Sequence, residues 1–166
     1  MSRRIEHSDS YASSPAALHA ALNDERYWQA RIAAVGGPGA ALESVKATDD
    51  GVQVQLTQAI SEEHLPSIVK RVKSGDLTVE RTESWGPLDR GAASGTFSAT
   101  VAGTPIKMRG THSLSGDTTS CTYRTTGDAQ VSVPLIGGKI EQVIVDNITR
   151  LLAIEQQFTE QWLTEH

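Results

Sequence analysis

Cysteine occurs once in the 166 residues, at Cys121, so the chain can form no internal disulfide, and a reducing setting, the cytoplasm, is expected. No apolar run reaches the roughly 18 residues of a membrane-crossing helix, and MSRRIEHSDS puts no hydrophobic segment behind its arginines. Neither integral membrane association nor a secretory signal is therefore expected. Basic charge is also short: 15 Lys and Arg stand against 20 Asp and Glu, a formal net charge of -5. Arg3, Arg4, Lys70, Arg71 and Lys73 form only small local groups, which argues against a nucleic-acid partner, since such binders need a basic patch to displace counterions.

The signatures of several chemistries are missing too. Ser44, Ser74 and Ser94 lack the Gly-x-Ser-x-Gly setting of a nucleophile elbow. The five histidines, His7, His19, His64, His112 and His166, show no metal-ligand spacing, so no metal is expected. Gly36 to Gly39 reads GGPG, too short for a dinucleotide fingerprint and with no lysine behind it for a phosphate loop, so no cofactor is expected either. A helix-ending loop accounts for it.

Against these gaps stands one long uninterrupted stretch. Lys139 to His166 contains neither glycine nor proline, and at 100° per residue Ile140, Ile144, Ile148, Leu151, Phe158 and Trp162 fall on a single stripe. Such a helix needs a large apolar surface to cover that stripe. The rest of the chain supplies it as short alternating segments: Ile5 to Tyr11, Leu42 to Ala47, Gly51 to Ile60, Leu77 to Trp85, Gly95 to Val101, Ile106 to Leu114 and Cys121 to Val133. Asp49, Asp50 and Gly51 form a hairpin turn between two of them. After the first strand, Ser14 and Pro15 start a short helix to Leu22, and Asn23 or Asp24 caps a second, built on Tyr27, Trp28, Arg31, Ile32 and Val35. Leu65, Ile68, Val69 and Val72 predict one further short helix ending at Gly75. The fold class is α+β: a seven-stranded curved antiparallel sheet, two short helices after the first strand, and a long C-terminal helix. With no internal repeat and no low-complexity linker, residues 1–166 read as a single domain, long enough to bury about two thirds of its surface.

A curled sheet of this width has a concave face that one helix does not fill. Gly95, Ala99, Gly110, Gly127 and Ala129 are small residues on inward phases. Either they leave a cavity, which would be the ligand site, or they admit the bulk of Phe97, Met108, Tyr123, Phe158 and Trp162. Polar residues share the inward phases: His7, Asp9, Gln58, Arg81, Glu83, His112, Tyr123 and Thr125, with Glu155 inside the helix stripe. A carboxylate there needs a donor, which Arg81, His112 or Tyr123 can supply. Arg81 and Glu83 read equally as ligand-orienting groups or as a satisfied ion pair, and His112 as a core histidine or as a base.

The order of elements, with IEHSDSYASSPAALHAALNDERYW near the start and VPLIGGKIEQVIVDNI at the join to the last helix, resembles the START-like or polyketide-cyclase-like helix-grip superfamily. More narrowly, it is similar to an actinobacterial family of uncharacterised members within it. That superfamily includes carriers of lipids and other hydrophobic molecules, hormone receptors, and cyclases or dehydratases of aromatic polyketides. The resemblance implies binding or transport of a lipid-like or polyketide-like small molecule between sheet and helix. Arg81, Glu83, Phe97, Met108, His112, Tyr123, Leu151, Glu155 and Phe158 are the candidate lining. An enzyme using the same pocket is the alternative, with His112 or Glu155 moving a proton and Arg81 or Tyr123 stabilising an oxyanion. A third reading is a partner-regulating domain with a filled interior, as monomer or homodimer.

Overall fold

A computed structural model describes residues 2–49 and 51–166. Seven antiparallel strands form one sheet: β1 (Ser2–Tyr11), β2 (Ala41–Ala47), β3 (Val52–Ile60), β4 (Leu77–Trp85), β5 (Ala92–Val101), β6 (Ile106–Gly116) and β7 (Cys121–Val131). Their order across the sheet is β1-β7-β6-β5-β4-β3-β2, so only the step from β1 to β2 crosses the sheet. That crossing carries α1 (Pro15–Leu22) and α2 (Glu25–Val35), while α3 (Ser67–Lys70) lies between β3 and β4 and α4 (Gly137–Glu165) closes the concave face. At 29 residues, α4 is about 43 Å long.

Local chemistry sets the boundaries. Ser14 Oγ accepts the Ala17 N–H at 3.2 Å to cap α1, and Asp24 Oδ1 accepts the Arg26 N–H at 2.9 Å to cap α2. The indole of Trp28 donates to the Leu22 carbonyl at 2.9 Å and fixes the angle between the two helices. Thr48 and Gly51 exchange backbone hydrogen bonds across the β2–β3 hairpin, at 2.8 and 3.4 Å; Asp50, in the middle of the expected turn, lies outside the described residues. Gly137 starts α4 where a side chain is excluded, because a Cβ there would stand 2.6 Å from the Val131 carbonyl oxygen. Glu141 Oε2 then accepts the Val131 N–H at 2.9 Å, fastening the first turn of α4 to the end of β7.

The segment expected to form one helix up to Gly75 instead splits into a 3-10 turn at Glu62–His64 and the single turn of α3. Pro66 is the cause. It crowds the backbone of the preceding residue, and Leu65 is extended at φ -96° and ψ 130°. β7 also ends at Val131, two residues short of the expected Val133.

Two apolar clusters fill the two ends of the groove. Ile5, Leu77, Val101, Ile106, Ala129, Val131, Ile140 and Ile144 pack under the first half of α4. Tyr11, Leu18, Leu22, Tyr27, Trp28, Leu56, Trp85 and Leu114 pack with Phe158 and Trp162 under its second half. Burying each such large side chain stabilises the fold by about 1.5–3 kcal/mol. Between the clusters the interior is neither solid nor apolar throughout, and there the candidate site lies.

Candidate functional site

Inward phase along each strand is set by the core. Val79 and Trp85 of β4 are buried, so Arg81 and Glu83 between them must face the same way. The same alternation brings Gln58 of β3, His112 of β6 and Thr125 of β7 to the concave face, each nearly or fully buried. From above, α4 brings Glu155, and α2 brings Arg31, both about 5% exposed. These groups find one another. Arg31 Nη2 stands 2.7 Å from Glu155 Oε2, and Arg81 donates to Glu155 in a fork at 3.0 and 3.3 Å. Arg81 also contacts Glu83 directly and donates to Gln58 Oε1 at 3.2 Å. Gln58 Nε2 donates to Glu155 at 3.4 Å. Two guanidiniums and two carboxylates are thus interleaved across three elements.

The supporting contacts fix the donors. Thr159 Oγ1 donates to the Glu155 carbonyl at 2.8 Å, which leaves it to accept from the Tyr27 hydroxyl at 2.7 Å. Tyr27 in turn accepts from Arg31 Nη1 at 3.4 Å, and the Arg31 guanidinium lies 4.7 Å over the Trp28 ring. His112 Nδ1 lies 3.0 Å from Thr125 Oγ1 and its Nε2 3.7 Å from Glu83 Oε1. With Thr125 donating to Nδ1, the proton on Nε2 points at the carboxylate. Trp85 stacks on His112 at 5.6 Å with its own N–H buried and without a protein acceptor.

The electrostatics follow from this packing. Burial opposes ionisation of Glu83, but the Arg81 guanidinium, aided by His112, outweighs it and holds the carboxyl below the ordinary range. Burial likewise opposes charge on Glu155, and Arg31 with Arg81 overcomes it. Arg31 and Arg81 rise above the usual arginine value because Glu155 more than offsets their desolvation. Apart from this network, His7 Nε2 and Asp9 Oδ1 pair at 2.6 Å on β1. Burial raises the Asp9 pKa, with His7 opposing it. Burial pushes the Tyr123 hydroxyl well up.

Beside the network lies a cavity of about 840 Å³. Its walls are Leu77, Val79, Ala99, Val101 and Met108 from the sheet and Ile144, Ile148, Leu151 and Leu152 from α4. It runs outward between the middle of α4 and the loops at Gly36–Pro38 and Ser61–His64, with Ile154, 44% exposed, on its rim. Of the nine expected lining residues, Arg81, Phe97, Met108, His112 and Leu151 border this cavity. Glu83 is wholly buried against Arg81, and Glu155 closes the inner end of the network. Two are elsewhere. Phe158 packs on Tyr27 with ring centroids 5.9 Å apart, and Tyr123 sits beyond the network beside Trp85 at 5.5 Å. The α1–α2 pair fills that end of the groove and takes both rings into its core.

Three of the small inward residues admit aromatic rings rather than leaving space. A Cβ on Gly110 or Gly127 would stand 2.7 or 2.9 Å from the Phe97 ring, and one on Gly95 3.0 Å from the Trp85 ring. The spacing of Arg31 predicts a place in the body of α2, not in the site. The one available sign was a charge four residues after Tyr27 on an otherwise aromatic helix face. Among the described residues no group of three or more His, Cys, Asp and Glu could hold a metal ion, and no helix is long and apolar enough to cross a membrane.

A seven-stranded antiparallel sheet gripping a long C-terminal helix defines the helix-grip class, and solved members share it. The Zhui aromatase/cyclase from Streptomyces sp. R1128 superposes with a TM-score of 0.58 over 99% of this chain and 94% of that one, at 14% identity. Norcoclaurine synthase from Thalictrum flavum gives 0.57 over 100% and 88%, at 16% identity. Within that class the chain belongs to the family described as protein of unknown function (DUF2505), whose model matches residues 6–163. The uncharacterized protein Rv0481c of Mycobacterium tuberculosis is 35% identical over 173 residues, covering 100% of this chain and 99% of the relative, in keeping with an actinobacterial family.

Proposed function

We propose that the protein binds one hydrophobic or amphipathic small molecule, lipid-like or polyketide-like, between the curved sheet and α4. The observation that carries this reading is the roughly 840 Å³ space walled by aliphatic side chains and open past Ile154. Its size is that of sites for drug-sized ligands, and burial of apolar area at about 25 cal/mol per Å² drives occupancy before ordering costs are deducted. A filled-core, partner-regulating role has no use for such a space.

Carriage is favoured over cyclase or dehydratase chemistry by the state of the candidate proton-transfer groups. Glu155 is held between Arg31 and Arg81, Arg81 between Glu155 and Glu83, and His112 takes a hydrogen bond at Nδ1 from Thr125, which puts its proton on Nε2, 3.7 Å from Glu83 and without a hydrogen-bond partner. None is free to take a proton from a ligand in the cavity. Native mass spectrometry of protein purified from its own host, followed by denaturing extraction, tests the reading. A retained apolar compound released on unfolding is expected; repeated preparations free of any such compound would speak against it.

A further inference from the structure

We infer that the ligand of this cavity is electrically neutral, an apolar body bearing an uncharged hydroxyl or carbonyl, and that the paired Arg31, Arg81, Glu83 and Glu155 act as a charge-balanced end wall that rejects carboxylates. This rests on the reading of the cavity as a binding site and specifies what it selects.

The charges on the wall lead there. Among the described residues Arg81 is the guanidinium that borders the inner end of the cavity, and it is already matched by Glu155 and Glu83, while Arg31 behind it is matched by Glu155. Two positive and two negative groups leave no surplus for an incoming anion. A carboxylate placed against them would be a fifth buried charge without a partner, and such charges are rejected or neutralised. Reversing the ligand does not help, because the acidic Glu63 and Asp76 line the mouth beside Arg150 and His64. What the wall offers freely is uncharged. Asn147 Nδ2 donates to the Val143 carbonyl at 2.9 Å, leaving its oxygen and second N–H, and Gln58 keeps one N–H beyond its bond to Glu155. Both amides border the cavity and can donate to a carbonyl or accept from a hydroxyl.

The test uses matched pairs that differ only in the head group: 1-decanol against decanoate, and 2-naphthalenemethanol against 2-naphthoate. Each competes with the neutral dye N-phenyl-1-naphthylamine on the full-length protein at about pH 8, where both acids are ionised. In the pair that displaces dye, the alcohol is expected to bind at least about tenfold more tightly. Equal affinity, or preference for the acid, overturns the inference while leaving the binding reading intact. Failure of the dye and of all four compounds to bind overturns both. Glu155→Gln removes one carboxylate from the wall, so the alcohol preference is expected to collapse or reverse. Glu83→Gln makes the same change in charge from the sheet side, should the first variant fold poorly. An unchanged preference in a folded variant contradicts the end-wall role.

Discussion

Arg81, in the middle of β4, and Glu155, ten residues before the end of α4, meet in a two-armed contact at 3.0 and 3.3 Å. They are 74 residues apart in sequence, and their contact ties the sheet to the helix between the two apolar clusters. Removing one partner from a buried ion pair leaves an uncompensated charge. Glu155→Ala leaves Arg31 without a carboxylate and Arg81 with Glu83 alone, and is expected to destabilise the fold by about 3–5 kcal/mol, measured by urea unfolding. A loss below about 1 kcal/mol, the range of exposed pairs, would show the network to be solvated.

Acid should attack the same network. Glu83 and Glu155 have depressed pKa values in the folded protein, so their contribution is present above the unfolded carboxylate value, about 4.3, and is lost as pH falls through the folded values. Asp9 works in the opposite sense, because its raised pKa favours the folded state as it takes up a proton. The net expectation is a falling Tm below about pH 4.5, with a shallower fall in Glu83→Gln than in the parent. An equally steep fall in that variant would assign the acid limb to other carboxylates.

Phe97 over Gly110 and Gly127 makes a second point of vulnerability. A Cβ on Gly110 would stand 2.1 Å from the Thr126 carbonyl oxygen as well as 2.7 Å from the ring. Backbone and ring cannot both give way cheaply. Gly110→Ala is expected to cost about 1–3 kcal/mol in chemical unfolding, as overpacked cores do, and a neutral outcome would mean that the sheet flattens there without penalty.

Leu135 is fully exposed and has φ +69°, a left-handed conformation that a side chain with Cβ resists. Leu135→Gly relieves that strain at the cost of a freer unfolded chain. The balance is expected to raise stability by up to about 1 kcal/mol, and a clear loss would mean that the Leu135 side chain has a packing role.

Much of this architecture was legible beforehand because it follows from period. Alternation in β3 to β7 put Gln58, Arg81, Glu83 and His112 on the buried face, and the unbroken stripe of α4 put Glu155 opposite them. Position along the groove was not legible. Tyr123 and Phe158 have the correct phase but sit where α1 and α2 fill the groove, and strand or helix period carries no information about which end an inserted pair of helices covers. Arg31 was hidden for the same reason: its role depends on where α2 lies over the sheet. The glycines mislead in another way, since a missing side chain on one residue is as easily a seat for a neighbouring ring as an empty space.

Titration of N-phenyl-1-naphthylamine into the parent protein and into Ala99→Trp, a variant that fills the cavity from the sheet side, tests the hollow interior most directly. Saturable binding at one site in the parent, abolished in a variant that still unfolds cooperatively, is the predicted result. Absence of saturable binding in the parent, or undiminished binding in the filled variant, would contradict it.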